Sequence, residues 1–238
     1  MKRKFLIYGF RQWGRQLCRR ICEAFGSDIL SHLAIYDLDR KLKPYLDFQG
    51  GTFIEVGGND GLRQSNTYWF ERFRGWRGIL VEALPDQARR CRKNRPKAHV
   101  VHAALVEDAS ITSVKIVDAN LMAYIPGTRT ADEEAQHLRY ALETQGLTGT
   151  PEIEVPATTL AQVLETRGDD RPFDLLSLDV EGYEIPVLRG MHPARHRPRY
   201  ILVETRDLPA VLKALEGYYR TVDQLSSHDY LLVTDSPK

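Results

Sequence analysis

The chain of 238 residues is 42% hydrophobic and 27% charged, enough apolar material for a buried core, which excludes a disordered, collagenous or disulfide-stapled chain. Its formal net charge of +1 hides a division: the first 20 residues hold seven Lys and Arg and no acid, so the remainder carries −6. The longest apolar stretch near the start, Phe5 to Phe10, falls far short of the roughly 20 residues of a membrane span, and with no secretory leader pattern the expected location is cytoplasmic.

Three cysteines, Cys18 and Cys22 one helical turn apart and Cys91 alone, fit reduced, buried or neutral thiols rather than a disulfide framework or structural zinc. From Trp13, the apolar residues Leu17, Ile21 and Phe25 recur every four positions while Arg11, Arg15, Arg19 and Arg20 occupy other faces, and Gly26 closes the run. This is an amphipathic basic helix. A second short helix is predicted over Leu38 to Leu46, capped by Asp37 or Asp39, and Gly50-Gly51 ends a helical appendage spanning residues 1–50. An alternative takes Phe5 to Gly9 and Leu33 to Tyr36 as strands of a small Rossmann-like prelude.

From Thr52 onward the pattern changes. TFIEV (52–56), GILVE (78–82), HVVHA (99–103), FDLLSL (173–178) and RYILVE (199–204) are apolar on both faces, as strands of a buried parallel sheet are. Helical patterns fill the gaps at 67–73, 86–94, 160–167, 184–189 and 208–216, which together argue a doubly wound α/β sheet over residues 51–238. Tyr218 to Val222 and Tyr230 to Thr234 read as a terminal antiparallel hairpin. The segment 105–156 breaks the rhythm, with strands predicted at 114–117, 120–125 and 152–155 and a helix at 131–144; it is an insertion that serves either as a lid or as structural filler.

In open parallel sheets ligands bind beyond the carboxyl ends of the strands. The first strand ends in Glu55-Val56-Gly57-Gly58-Asn59-Asp60-Gly61, a glycine-rich turn that lacks the spacing of a dinucleotide cradle. An acid there can meet an ammonium group while glycines let a ligand lie against the backbone. Glu82, 21 residues beyond Gly61, ends the second strand where a carboxylate accepts both ribose hydroxyls. The pair suits a nucleoside bearing an amino acid. The fourth strand ends in Asp179-Val180-Glu181-Gly182-Tyr183-Glu184, of which Glu184 can simply cap the next helix, and the fifth ends in Glu204. Neighbouring strand ends let Asp179 and Glu204 converge on a divalent cation or share a substrate proton. His228 is a further base candidate; Tyr68, Trp69, Tyr124 and Tyr183 are candidates for a sugar platform or for core.

The stretches FIEVGGNDG (53–61) and DLLSLDVEGYEIPVLRG (174–190), with QSNTYWFE (64–71), GWRGILVE (75–82) and TTL (158–160), resemble the FkbM family of S-adenosylmethionine-dependent methyltransferases from about Leu38 to Glu204; Gly58 stands where the family usually has Ala. The resemblance implies a class I methyltransferase, a Rossmann-like seven-stranded, mostly parallel sheet with the last strand antiparallel. It implies that Glu55, Gly57, Gly58, Asn59, Asp60 and Gly61 surround the methionine part of S-adenosylmethionine, that Glu82 holds the ribose, that Ala103 or Ala104 flanks the adenine, and that Asp179 lies beside the sulfonium. Catalysis then falls to Asp179, Glu181 or His228, with Mg or Mn on Asp179 and Glu204 as the metal-assisted variant. The expected reaction is O-methylation of a sugar, glycan or lipid-linked sugar; the alternatives are N-methylation of an amino sugar or protein side chain, or a non-catalytic, cofactor-binding scaffold. No nucleic-acid motif is present. The basic helix is expected to sit in solvent against the sheet edge or to dock an anionic partner such as the inner membrane face.

Overall fold

The computed structural model describes residues 14–166 and 172–235. Helix α1 covers 14–24, followed by the short helices α2 (Leu38–Lys41) and α3 (Lys43–Leu46). Then come β1 (Thr52–Val56), α4 (Tyr68–Arg74), β2 (Arg77–Glu82), α5 (Pro85–Asn94), β3 (His99–His102), β4 (Ala104–Val106), β5 (Ser113–Val117), α6 (Ala131–Gln145), β6 (Glu152–Thr159) and α7 (Leu160–Glu165). The chain ends with β7 (Leu175–Leu178), α8 (Glu184–Arg189), β8 (Tyr200–Glu204), α9 (Leu208–Ala214), β9 (Tyr219–Gln224) and β10 (Asp229–Thr234).

The main sheet has seven strands in the order β3-β2-β1-β7-β8-β10-β9, and β10 runs antiparallel to both β8 and β9. The chain leaves β1 towards β2 and β3, then crosses back to place β7 on the other side, so strand order reverses between β1 and β7. That reversal opens a crevice at the strand ends. Apolar residues pointing to opposite sides of β1 feed separate cores: Ile54 and Val56 join Val187, Leu188 and Met191, while Phe53 joins Trp69, Phe70 and Trp76. The second of these cores also takes Leu38, Leu42 and Leu46, so α2 and α3 pack directly beneath the sheet.

Four details differ from the sequence reading. The predicted strand 99–103 divides at Ala103: β3 stays in the main sheet and β4 leaves it to pair with β6, which also carries β5, in a second three-stranded sheet. The predicted strand 120–125 is a 3-10 turn, Asn120–Met122, followed by a single bridge between Val117 and Tyr124. Ile35–Asp37 forms a 3-10 turn where the prelude alternative placed a strand, and the other strand of that alternative, Phe5 to Gly9, lies outside the described residues. Cys18 is exposed, whereas Cys91 is buried. Helix α6 follows the expectation closely, because Thr130 and Glu133 form a reciprocal capping box and Gly146 closes the helix in the left-handed region. Among the described residues no helix is long and apolar enough to cross a membrane.

Candidate active site

A cavity of about 920 Å³, counted with its open mouth, sits over the carboxyl ends of β1, β2 and β7. Its floor is the turn after β1. Gly57 has φ of 83°, and a Cβ there would lie 2.0 Å from the Asp179 carbonyl oxygen, so only glycine lets the turn pass the end of β7. The Gly57 and Gly58 N–H groups both donate to Val81 O, which draws the turn towards β2. Asn59 then adopts a left-handed backbone, φ 44°, and its N–H donates to Glu82 Oε2 at 2.7 Å. Leu84 N–H donates to Glu82 Oε1, also at 2.7 Å. Glu82 thus ties two loops together, and each carboxylate oxygen keeps a lone pair for a ligand hydroxyl. Burial pushes its carboxyl up to about 7, against the pull of the two backbone donors.

The turn presents only part of itself to the cavity. Gly57 and Asn59 line it; Gly58, Asp60 and Gly61 do not. Gly58 faces Leu80, and Gly61 faces Arg95 and Cys91. The Asp60 carboxylate accepts from the N–H groups of Leu62 and Arg63, so it closes the turn instead of meeting a ligand. Gly58, Asp60 and Gly61 thus shape the turn from behind the cavity wall. Glu55 lines the cavity, but its oxygens already accept from Ser65 Oγ–H, Asn66 N–H and Thr67 Oγ–H. It fixes the loop from 65 to 67, and Oε1, which accepts only from Asn66 N–H, keeps one lone pair for a ligand. Behind it the fully buried Arg95 donates to Glu71, Gly61 O, Ser65 and Thr67 and stands 3.7 Å from Glu55.

Two buried acceptors at this floor have no partner, Asn59 Oδ1 and Asn66 Oδ1. Each amide is held by its nitrogen, Asn59 on Asn120 Oδ1 and Asn66 on Ser177 Oγ. Unsatisfied buried acceptors are costly and mark a place where a donor belongs. Together with the glycine floor and the free lone pairs of Glu82, they fit an amino-acid-bearing nucleoside with its ammonium at the asparagines and its ribose at Glu82. Ala103 and Ala104, both buried, line the apolar end with Leu84 and Ile116.

At the other end Asp179 and Glu181 face the cavity, with Glu184, Glu204 and Asp229 close behind. Burial followed by repulsion from Glu204 and Glu184 raises the Asp179 carboxyl well above the usual range, and burial with Asp179 nearby pushes Glu181 up to about 8. Asp179 and Glu181 therefore titrate together, and Glu181 is largely protonated at neutral pH. Glu184 accepts from Gly182 and Val180 N–H, so it ties down the loop before α8, which has no side-chain cap, instead of capping that helix. Tyr124 and Tyr183 line the cavity, whereas Tyr68 and Trp69 are core.

The insertion contributes what the sequence did not single out. Arg129 Nη2 lies 3.6 Å and His137 Nδ1 3.9 Å from Glu181 Oε2. His137 Nε2 is 2.9 Å from Met122 O, a carbonyl that can only accept, so Nε2 carries the proton and Nδ1 offers a lone pair towards Glu181. Burial, helped by Arg129 and Arg206, lowers the His137 pKa and keeps the ring neutral. His228, in contrast, lies 3.8 Å from both Glu204 and Asp229, hydrogen-bonds Ser227, and is not among the cavity-lining residues, which moves the base away from it. The expectation of a metal on Asp179 and Glu204 gains no support: among the described residues no group of three or more His, Cys, Asp or Glu side chains is placed to hold an ion.

The family model described as methyltransferase FkbM domain matches residues 55–232. Among solved structures, the chain is similar to a TehB-like SAM-dependent methyltransferase from Corynebacterium glutamicum, with 12% identity, 95% of this chain and 97% of that one covered, and a TM-score of 0.44. It is also similar to a methyltransferase FkbM from Methylobacillus flagellatus, with 12% identity, a TM-score of 0.46 and 81% of this chain covered, although it spans only 45% of that protein. An O-methyltransferase from Bacillus cereus in complex with SAH shows 12% identity, coverage of 84% and 80%, and a TM-score of 0.42. No curated protein matches the chain.

Proposed function

The chain belongs to the methyltransferase FkbM domain family and is an S-adenosylmethionine-dependent methyltransferase; we propose that it methylates a hydroxyl of a sugar, glycan or lipid-linked sugar in the cytoplasm. The observation that carries this reading is Glu181, a carboxyl pushed up to about 8 beside the cofactor floor and backed by His137 and Arg129. A hydroxyl loses a proton as its oxygen gains a methyl group, and a base with a pKa near the working pH takes that proton best. A neutral amine attacks through its own lone pair and loses a proton only after transfer, so N-methylation has less need of such a base.

S-Adenosylmethionine, when bound, supplies an electrophilic methyl group on a sulfonium that is already a good leaving group. In this chain Asn59 and Asn66 would accept from its ammonium group, Glu82 from its ribose, and Ala103 and Ala104 would pack on its adenine. Tyr124 and Tyr183 would bracket the sugar ring, so the acceptor oxygen is aligned before reaction. Glu181 takes the hydroxyl proton on a carboxylate oxygen, and the Arg129 guanidinium steadies the carboxylate that must be present beforehand, while the Nδ1 lone pair of the neutral His137 faces the protonated form.

Transfer of labelled methyl groups from S-adenosylmethionine to fractionated cell material tests this. Label in carbohydrate or lipid-linked sugar, retained after chelation, is the expected result. Label confined to protein or nucleic acid would overturn the substrate class, and activity recovered only on adding Mg or Mn would move activation of the hydroxyl from Glu181 to an ion on Asp179 and Glu204.

A further inference from the structure

Helix α1 is mounted the wrong way round for a helix that merely covers a sheet. Its apolar stripe points outward: Leu17 and Ile21 are exposed, Phe25 is 86% exposed, and Ile29, which continues the line beyond the helix, is 69% exposed. An amphipathic helix on a globular protein normally buries that stripe. Here the buried side chains are Arg19 and Glu23.

Polar contacts fix this orientation. Glu23 Oε1 accepts from Ser31 Oγ–H and from Tyr68 O–H, both at 2.8 Å, and Oε2 accepts from Arg72 Nε–H at 3.2 Å. Arg72 also donates to the Glu23 carbonyl, and the Arg19 guanidinium stacks 4.7 Å above the Tyr68 ring while facing Glu23 at 3.6 Å. Turning the apolar face inward would strand Glu23 and Tyr68 without partners, at a cost typical of buried polar groups.

The exposed side is cationic as well as apolar. Arg15 and Arg20 are exposed beside the stripe, and Glu23, the one acid in residues 1–27, is buried. The same stretch of sequence adds Lys2, Arg3, Lys4 and Arg11. We propose that this face of α1, Leu17, Ile21, Phe25 and Ile29 with Arg15 and Arg20, docks the protein on an anionic lipid bilayer. An apolar stripe rimmed by arginines lies in the headgroup region with its side chains among the upper acyl carbons, and anionic headgroups answer its charge. A second copy of the chain is the poorer occupant, because a two-fold contact would set the exposed Arg15 and Arg20 of two copies against each other. The inference is independent of the methyl acceptor.

Flotation of the full chain with vesicles of phosphatidylglycerol and phosphatidylcholine in equal parts tests it without any activity readout. The expected result is binding to these vesicles and none to pure phosphatidylcholine, weakened about fivefold by each of Arg15→Gln and Arg20→Gln and about tenfold by Phe25→Ser, with unchanged thermal unfolding because these side chains are solvent-exposed. Equal recovery of the wild type and a Leu17→Ser/Ile21→Ser/Phe25→Ser variant would overturn the proposal. So would absence of vesicle binding together with a dimer in solution that the triple variant dissociates, which would assign the face to a second copy.

Discussion

Glu82→Gln separates the two tasks of this carboxylate. In the folded chain its pKa rises from 4.5 to about 7, a difference of ~3 kcal/mol between its protonation states. The folded form binds the proton more tightly than the unfolded chain, so the contribution of Glu82 to stability is fully present below pH 4.5 and is lost as the pH rises through about 7. Glutamine abolishes that titration but leaves one of the two N–H groups, of Asn59 or Leu84, facing an amide nitrogen, which costs about 1–3 kcal/mol. At pH 8 the terms oppose each other and stability should change by less than ~2 kcal/mol; at pH 5 only the loss remains. Binding responds differently, since a charged acceptor for two ribose hydroxyls disappears, and S-adenosylhomocysteine should bind about 10- to 100-fold more weakly. Urea unfolding at pH 5, 6.5 and 8 and calorimetric titration with S-adenosylhomocysteine provide both readings. Parallel pH profiles for wild type and variant, or undiminished binding, would refute the reasoning.

Glu181→Gln should lower kcat by about 10²- to 10⁴-fold while S-adenosylhomocysteine affinity is retained, as measured by steady-state kinetics beside calorimetry. Wild-type kcat should rise with pH as Glu181 ionises around pH 8, and Arg129→Leu, by removing the cation that favours the carboxylate, should move that limb to higher pH. Arg95→Met strands Glu71 and loosens the loop that Glu55 grips; denaturation should show a loss of about 3–5 kcal/mol.

Much of the sheet is legible because strands buried on both faces carry continuous apolar runs, and such a run leaves little choice of element or neighbour. Glu82, Ala103 and Asp179 follow from the same logic, since a residue at a strand's carboxyl end is placed by the strand itself. Glu55 illustrates the limit: sequence position puts it at the site, but three of its acceptor positions are taken by Ser65, Asn66 and Thr67, which only the folded loop brings back. Arg95 sits in the run RRCRKNR, indistinguishable from a solvated basic surface until α5 turns it inward under Gly61. The orientation of α1 was equally hidden, because periodicity shows that a helix has two faces and the partners of Glu23, Tyr68 and Arg72, decide which one is buried.

The division of the third strand at Ala103 joins the two ends of the cavity. Ala103 ends the run of β3 and lines the cavity, and Ala104, the next residue, begins β4 and lines it too. β4 pairs with β6 and β6 with β5, so the second sheet starts at the Ala103–Ala104 end of the cavity only because the chain leaves the main sheet there. From β5 the chain proceeds through Asn120, which touches Asn59 and Gln87, to Met122, whose carbonyl orients His137. The contacts at Asn59 and at Glu181 therefore share one piece of backbone.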